Sequence, residues 1–142
     1  MNMTIDTTQT RIAESIPYEG LVWHPVDPHS PEGPQIAVLW GDPSHGAFGA
    51  LMRVPAGFES PTHTHSRDER VIQLRGRSIH WTEDETKETA SVMEPGDYMM
   101  MPAGVAHVSA ATGDGESLEF MTMDGAFDFS FVDPIEEESW TG

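Results

Sequence analysis

Residues 57–76 read GFESPTHTHSRDERVIQLRG, with a single residue between His63 and His65. Side chains two apart in a β-strand point to the same face, so both imidazoles can reach a single metal ion. Glu69 follows a short polar turn, and it can add a carboxylate from the next strand. The stretch therefore predicts two neighbouring strands that carry metal ligands on one inner face.

A second stretch, residues 96–107, reads GDYMMMPAGVAH and supplies a third imidazole. The turn-forming Pro102 and Gly104 come just before His107, which places this side chain at the start of a new strand. Three neutral nitrogens and one carboxylate oxygen suit a divalent transition metal. The predicted metal ligands are His63, His65, Glu69 and His107.

The spacing within the two stretches matches the cupin motifs, G-x5-H-x-H-x3–4-E-x6-G and G-x5-P-x-G-x2-H-x3-N. Every fixed position of the first motif is present, and the second is matched through His107, with Ala111 in place of the final asparagine. The chain therefore resembles the cupin superfamily. The resemblance implies an all-β, single-domain cupin fold, a double-stranded β-helix or jelly-roll barrel, with a metal ion held by the motif side chains.

Three further phrases narrow the resemblance: LWGDP at residues 39–43, PAGF at 55–58 and MDGAFD at 123–128. They look like the small ChrR-like and DUF4437-like cupins. That group is similar both to metal-binding sensor domains and to iron dioxygenases that cleave diketones. The resemblance favours metal chemistry and leaves open whether the domain catalyses or senses.

The length of 142 residues predicts one compact domain. Short segments between glycine and proline turns predict a barrel or sandwich of about ten strands. We expect a flexible N-terminal arm over residues 1–19, the cupin barrel over 20–132 and an acidic tail over 133–142. The predicted strands cover residues 21–23, 36–40, 48–54, 61–65, 70–74, 78–82, 89–93, 98–101, 107–110, 118–123 and 127–132.

Acidic residues dominate the charge, because 24 Asp and Glu stand against 7 Lys and Arg and give a net charge of −17. Such a field repels phosphate backbones and anionic lipids, so neither nucleic-acid nor membrane partners are expected. The sequence has no cysteine, which excludes disulfides and thiolate zinc sites. With no secretory signal and no apolar stretch long enough to span a bilayer, a cytoplasmic protein is expected.

Two further polar residues are predicted to face the barrel interior. Gln73 lies four residues after Glu69, so both side chains share one face of the predicted strand. His80 lies in the strand that follows Gly76. We predict that Gln73 or His80 orients a substrate or moves a proton, the alternatives being an exposed amide and a histidine of the barrel wall.

The predicted function is a metal-dependent dioxygenase acting on a small oxygenated or dicarbonyl-like compound, as the resemblance to diketone-cleaving cupins implies. An octahedral ion with these ligands keeps positions open for a bidentate substrate, or for substrate and dioxygen. Fe(II) is favoured, while manganese, nickel, zinc, copper and cobalt accept the same ligands. Two alternatives stay open: a non-catalytic sensor module that binds metal or a small ligand, and a metal-dependent lyase or isomerase. A homodimer paired through an edge strand is expected.

Overall fold

The computed structural model of this protein describes residues 11–132, and these residues form eleven strands. They are β1 His24–Pro25, β2 Gln35–Gly41, β3 Phe48–Val54, β4 His63–Thr64, β5 Glu69–Arg75, β6 Ser78–Thr82, β7 Val92–Met93, β8 Tyr98–Met101, β9 His107–Ala111, β10 Ser117–Met123 and β11 Ser130–Phe131. One antiparallel sheet has the order β1-β2-β3-β10-β5-β8, and the other has the order β11-β4-β9-β6-β7. The two sheets confirm the predicted all-β cupin fold.

Alternation along the strands decides which side chains face the interior. In β5, Glu69, Val71 and Gln73 are buried, and the residues between them are exposed. Apolar side chains on the same inner faces form the main core, which consists of Ile36, Phe48, Ala50, Met52, Val71, Met93, Met121 and Met123. Polar residues at the inner positions are therefore placed directly beside the apolar core.

Three predicted strands have the bounds that the sequence indicated: Phe48–Val54, Ser78–Thr82 and Tyr98–Met101. The predicted strands at 61–65, 89–93 and 127–132 are reduced to two paired residues each. Their remaining residues form turns and irregular backbone. A pattern of apolar residues does not show whether an extended segment is paired in a sheet.

The predicted strand at residues 21–23 is wrong, because this segment packs on a sheet without pairing with it. Leu21 and Trp23 lie against the apolar face of the six-stranded sheet that points away from the main core. The guanidinium of Arg53 lies 4.2 Å from the centre of the Trp23 ring. Pairing begins one residue later in β1, where Pro25 is tolerated because β1 is an edge strand.

The last residues of the predicted N-terminal arm contact the barrel through Tyr18. Residues 11–17 are exposed and irregular, and Tyr18–Gly20 forms one 3-10 turn. The Tyr18 ring packs edge-on against Trp23, and the guanidinium of Arg75 lies 4.9 Å from the centre of the Tyr18 ring. Residues 1–10 and the predicted tail at 133–142 lie outside the described residues, so these domain bounds stay predictions. No helix within residues 11–132 is long and apolar enough to cross a membrane.

Candidate metal centre and cavity

Three histidines meet on the inner face of the five-stranded sheet. His63 of β4 is paired directly with His107 of β9, and their ring centroids are 4.3 Å apart. The His65 ring lies 4.8 Å from that of His63 and 5.2 Å from that of His107. A hydrogen bond of 2.9 Å from the Gly104 N–H to the His65 carbonyl holds the turn before β9 against the segment that carries His65. The ligand nitrogens of the three rings all lie within 4.8 Å of one another.

Each of these rings is fixed by a hydrogen bond from Nδ1 to a backbone carbonyl oxygen. The acceptors for His63, His65 and His107 are Pro61 at 2.8 Å, Asp128 at 2.6 Å and Val105 at 3.0 Å, respectively. A carbonyl only accepts, so Nδ1 carries the proton and Nε2 keeps a lone pair. The buried Nε2 of His107 has no hydrogen-bond partner within residues 11–132. Three lone pairs that converge, one of them without a partner, fit a divalent transition metal.

Burial keeps the three rings in the neutral form that binds metals. It is the largest cause that lowers the pKa of His63 and His65 below the usual range and that of His107 to about 4. The hydrogen bonds to carbonyls act in the opposite direction and are outweighed. At neutral pH these rings therefore present lone pairs to the site.

The Glu69 carboxylate lies beside the three histidines, but it is not part of the group whose ligand atoms all lie within 4.8 Å of one another. Its Oε2 is 3.8 Å from Nε2 of His65, and the residue is 8% exposed. Burial raises the pKa of Glu69 to about 7, with His80 lowering it and Glu119 raising it further. Because β5 belongs to the opposite sheet, this carboxylate approaches the histidines from across the barrel. Its role as a fourth ligand stays a prediction.

His80 lines the cavity from β6, and both of its ring nitrogens have partners. Nε2 lies 3.0 Å from Oγ of Ser78, and Nδ1 lies 2.8 Å from Oγ of Ser109. Oε1 of Glu119 is 3.6 Å from Nε2. Burial opposes a charged ring, but the Glu119 carboxylate and, more weakly, that of Glu69 outweigh burial and raise the pKa of His80 above its usual value.

Sequence reasoning missed Glu119, the carboxylate next to His80. Glu119 is 6% exposed and shares the inward face of β10 with Ser117 and Met121. An acidic residue at an inward position of an apolar strand is costly to bury without a partner, and this was the available signal. The partner lies in the other sheet, which the strand pattern alone does not reveal.

Gln73 is fully buried, and it is not among the residues that line the cavity. Its amide is hydrogen-bonded to the Arg75 carbonyl and to the hydroxyls of Ser78 and Ser117. The prediction that Gln73 itself orients a substrate does not fit this placement. Because Ser78 also contacts His80, Gln73 reaches the site only through other side chains.

A cavity of about 520 Å³ opens between the sheets in front of these groups. Most of its remaining wall is apolar and includes Met52, Met121, Phe127 and Phe129. The Phe129 ring centroid is 5.3 Å from that of His63, so an aromatic ring covers the histidine cluster. None of the 7 Lys and Arg residues lines the cavity, and all of them fall within residues 11–132.

Solved structures with the same fold share little sequence with this chain. An RmlC-like cupin protein from Ralstonia eutropha JMP134 is 19% identical with a TM-score of 0.66, over 87% of this chain and 74% of that chain. The DMSP lyase DddQ from Ruegeria pomeroyi DSS-3 is 19% identical with a TM-score of 0.64, over 81% and 62% of the two chains. A chain from the complex of Rhodobacter sphaeroides SigE with the anti-sigma ChrR is 20% identical with a TM-score of 0.58, over 76% and 51%. At these identities the similarity shows the fold alone.

A comparison with curated proteins finds no significant sequence match. A family model, in contrast, matches residues 15–137, which include the whole barrel and both histidine stretches. This match confirms the narrower resemblance that the sequence motifs carried. The chain has the cupin fold and belongs to the DUF4437 family, whose model describes a domain of unknown function.

Proposed function

We propose that this chain is a metal-dependent enzyme that converts a small oxygenated compound. The observation that carries the proposal is the set of three Nε2 lone pairs, fixed by carbonyl-bound Nδ1 atoms next to a cavity of about 520 Å³. His63, His65 and His107 would hold the ion, with Glu69 as the fourth ligand. When bound, a divalent ion supplies Lewis acidity and open coordination positions for a substrate oxygen or for dioxygen, with Fe(II) as our first choice.

The cavity wall restricts the charge of the substrate. Three carboxyl side chains line it, those of Asp27, Glu69 and Glu119, and no Lys or Arg does. A substrate with several anionic groups would lack cationic partners there, so we expect a neutral compound or one with a single acidic oxygen group. Phe127 and Phe129 would pack on its apolar part and keep water away from the reacting atoms.

Two reaction types follow from this arrangement. The first candidate is dioxygenase chemistry on a dicarbonyl-like compound, which the apolar, water-excluding wall favours. The second candidate is lyase or isomerase chemistry, which the buried pair of His80 and Glu119 favours, because such reactions need a base that removes a proton. DddQ, which has the same fold, is described as a lyase.

A non-catalytic sensor module is the competing interpretation, and the anti-sigma ChrR shows that the same fold occurs in a regulatory complex. A sensor would bind the metal without converting any compound. The homodimer, the cytoplasmic location and the absence of nucleic-acid partners also stay predictions.

The first test is elemental analysis of protein purified without a metal-affinity tag. We expect about one iron per chain in the wild type, loss of the metal in His63→Ala, and retention in His45→Ala, because His45 is an exposed histidine paired with Asp42. Metal retained in His63→Ala would overturn the site. Zinc in place of iron would favour lyase or sensor function.

The second test is a panel of small dicarbonyl compounds with the metal-loaded wild type. Oxygen uptake coupled to loss of the compound supports the dioxygenase. Turnover that continues without oxygen supports a lyase or isomerase. A protein that binds metal and converts none of these compounds under either condition would contradict the proposed enzyme and favour the sensor.

A further inference from the structure

A chain of hydrogen bonds behind the cavity wall begins at Gln73 and fixes the position of each proton. The Gln73 Nε2 donates to the Arg75 carbonyl at 2.9 Å and to Ser117 Oγ at 2.8 Å. Both amide protons are then used, and Oε1 accepts from the hydroxyl of Ser78 at 2.7 Å. Ser78 has only one proton, so toward His80 its oxygen can only accept.

This constraint sets the tautomer of His80. The Nε2 atom must carry the proton that Ser78 Oγ accepts at 3.0 Å. In the neutral ring Nδ1 is then a lone pair, and the hydroxyl of Ser109, 2.8 Å away, must donate to it. The Ser109 oxygen is therefore polarised by a neighbouring base.

Ser109 is the link between His80 and the cavity. Both nitrogens of His80 are engaged, so the ring can exchange a proton with a bound compound only through the Ser109 hydroxyl. Ser109 itself lines the cavity. It is two residues from His107 in β9, so the two side chains share one face and Ser109 lies on the histidine side of the wall.

Glu119 completes the arrangement on the far side of the ring. Its Oε1 lies 3.6 Å from His80 Nε2 and accepts a hydrogen bond from Ser117 Oγ at 3.4 Å. The carboxylate is too distant for a hydrogen bond in the neutral ring, and it is close enough to stabilise the ring once charged. Glu119 is therefore placed to stabilise the proton held by His80.

We propose that Ser109, His80 and Glu119 form a proton relay that removes a proton from the bound substrate and can return it. Ser109 is the catalytic residue that touches the substrate, and Glu119 and Gln73 are positioning residues. The inference rests on the proposed function, because the substrate that loses the proton is the compound bound at the metal centre. It assigns the substrate class: a carbonyl compound with a hydrogen on the neighbouring carbon.

The transfer is balanced as a concerted exchange of protons. The substrate C–H bond breaks and its electron pair stays on the substrate. The proton forms a new O–H bond on Ser109 while the original hydroxyl proton moves to Nδ1 of His80. The ring becomes an imidazolium beside Glu119, and the reverse movement restores both groups.

The ring tautomer of His80 tests the relay without any substrate. NMR of the zinc-loaded protein with ¹⁵N-labelled histidine, on the alkaline side of the His80 titration, is expected to show protonated Nε2 and unprotonated Nδ1. The opposite tautomer would overturn the relay, because a protonated Nδ1 cannot take the Ser109 proton. This outcome is independent of whether the proposed enzyme activity is found.

Deuterium exchange into diacetyl tests the step itself. Under argon in D₂O, the zinc-loaded wild type is expected to accelerate exchange of the methyl protons. Ser109→Ala is expected to lose about 100-fold of that acceleration, the usual contribution of a positioned acid–base group. The matched control Ser91→Ala changes an exposed serine and is expected to keep the wild-type rate. Equal rates in wild type and Ser109→Ala would overturn the relay.

Glu119→Gln separates positioning from mere structural support. The titratable groups that face His80 are Glu119, Glu69, His63 and His107. Loss of the Glu119 charge lowers the pKa of His80, so the exchange rate is expected to rise with pH at a lower midpoint than in the wild type. An unmoved midpoint would contradict the role of Glu119. If the wild type itself exchanges nothing, the proposed substrate class fails, and the tautomer alone decides the relay.

Discussion

Histidines that lie close to the same cavity are held by different partners. The carbonyl-held histidines, His63, His65 and His107, donate Nδ1–H to the backbone. The hydroxyl-held histidine, His80, contacts two serine side chains instead. A carbonyl cannot donate, so it fixes one tautomer and one role. A hydroxyl can donate or accept, so it allows the ring to gain and lose a proton.

The direction of the pKa shifts follows the same division. Burial lowers the pKa of the carbonyl-held histidines. Burial also opposes charge on His80, but the carboxylates of Glu119 and Glu69 outweigh it and raise the pKa. The partners of a buried histidine, and not burial alone, therefore decide whether it serves as a metal ligand or as an acid–base group.

The largest expected effect separates the two kinds of histidine by metal binding. Zinc at about 1,000 times its dissociation constant should stabilise the wild type by about 4 kcal/mol. His80→Gln should keep this stabilisation. His65→Ala should lose it, because His65, unlike His80, contributes a lone pair to the histidine cluster. Thermal unfolding with and without zinc measures both. Equal stabilisation of the two variants would contradict the division.

A second prediction compares one substitution at both places in the metal-free protein. His107→Leu removes one hydrogen bond and a buried Nε2 that has no partner among residues 11–132, so it should be neutral or stabilise by about 1 kcal/mol. His80→Leu should destabilise by about 3 kcal/mol, because it leaves the buried Glu119 carboxylate unpaired. Urea unfolding in the presence of a chelator measures both changes. Destabilisation of similar size at both positions would contradict the prediction, because it would show that burying the His107 Nε2 hardly lowers the free energy of unfolding.

The positions of the metal-binding histidines were largely predictable from the sequence. Strand alternation has a period of two, so His63, His65 and the inward position of Gln73 followed from the order of residues alone. The glycines of the motifs marked the turns, and Gly76 shows why: its φ is +68°, and a Cβ would lie 2.1 Å from the Glu116 carbonyl oxygen. Local chemistry of this kind is encoded within a few residues.

For the acid–base site, the sequence predicted the inward position of His80, but it could not predict the partners of His80, because they depend on which strands become neighbours. His80 meets Ser109 through the pairing of β6 with β9, and it meets Glu119 across the two sheets. Ser78 and Ser117 carry no sequence signal that distinguishes them from surface serines. The wrong strand at 21–23 has a similar origin, since an apolar triplet can pack on a sheet face as well as pair at its edge.

The smallest expected effect tests whether the two kinds of histidine are independent. Ser60 Oγ accepts a hydrogen bond from the Ser109 N–H at 3.0 Å and lies 3.4 Å from His63 Nδ1, so it touches both. Ser60→Ala should destabilise the protein by about 1 kcal/mol, because it leaves the Ser109 N–H without its acceptor.

Ser60→Ala should nevertheless keep the full metal content, because His63 retains its shorter bond to the Pro61 carbonyl at 2.8 Å. The control Ser91→Ala changes an exposed serine and should alter stability by less than about 0.5 kcal/mol. Urea unfolding and elemental analysis measure the two effects. Loss of metal in Ser60→Ala would mean that the hydroxyl, and not the carbonyl, orients His63, and that the carbonyl-held and hydroxyl-held histidines form one coupled network.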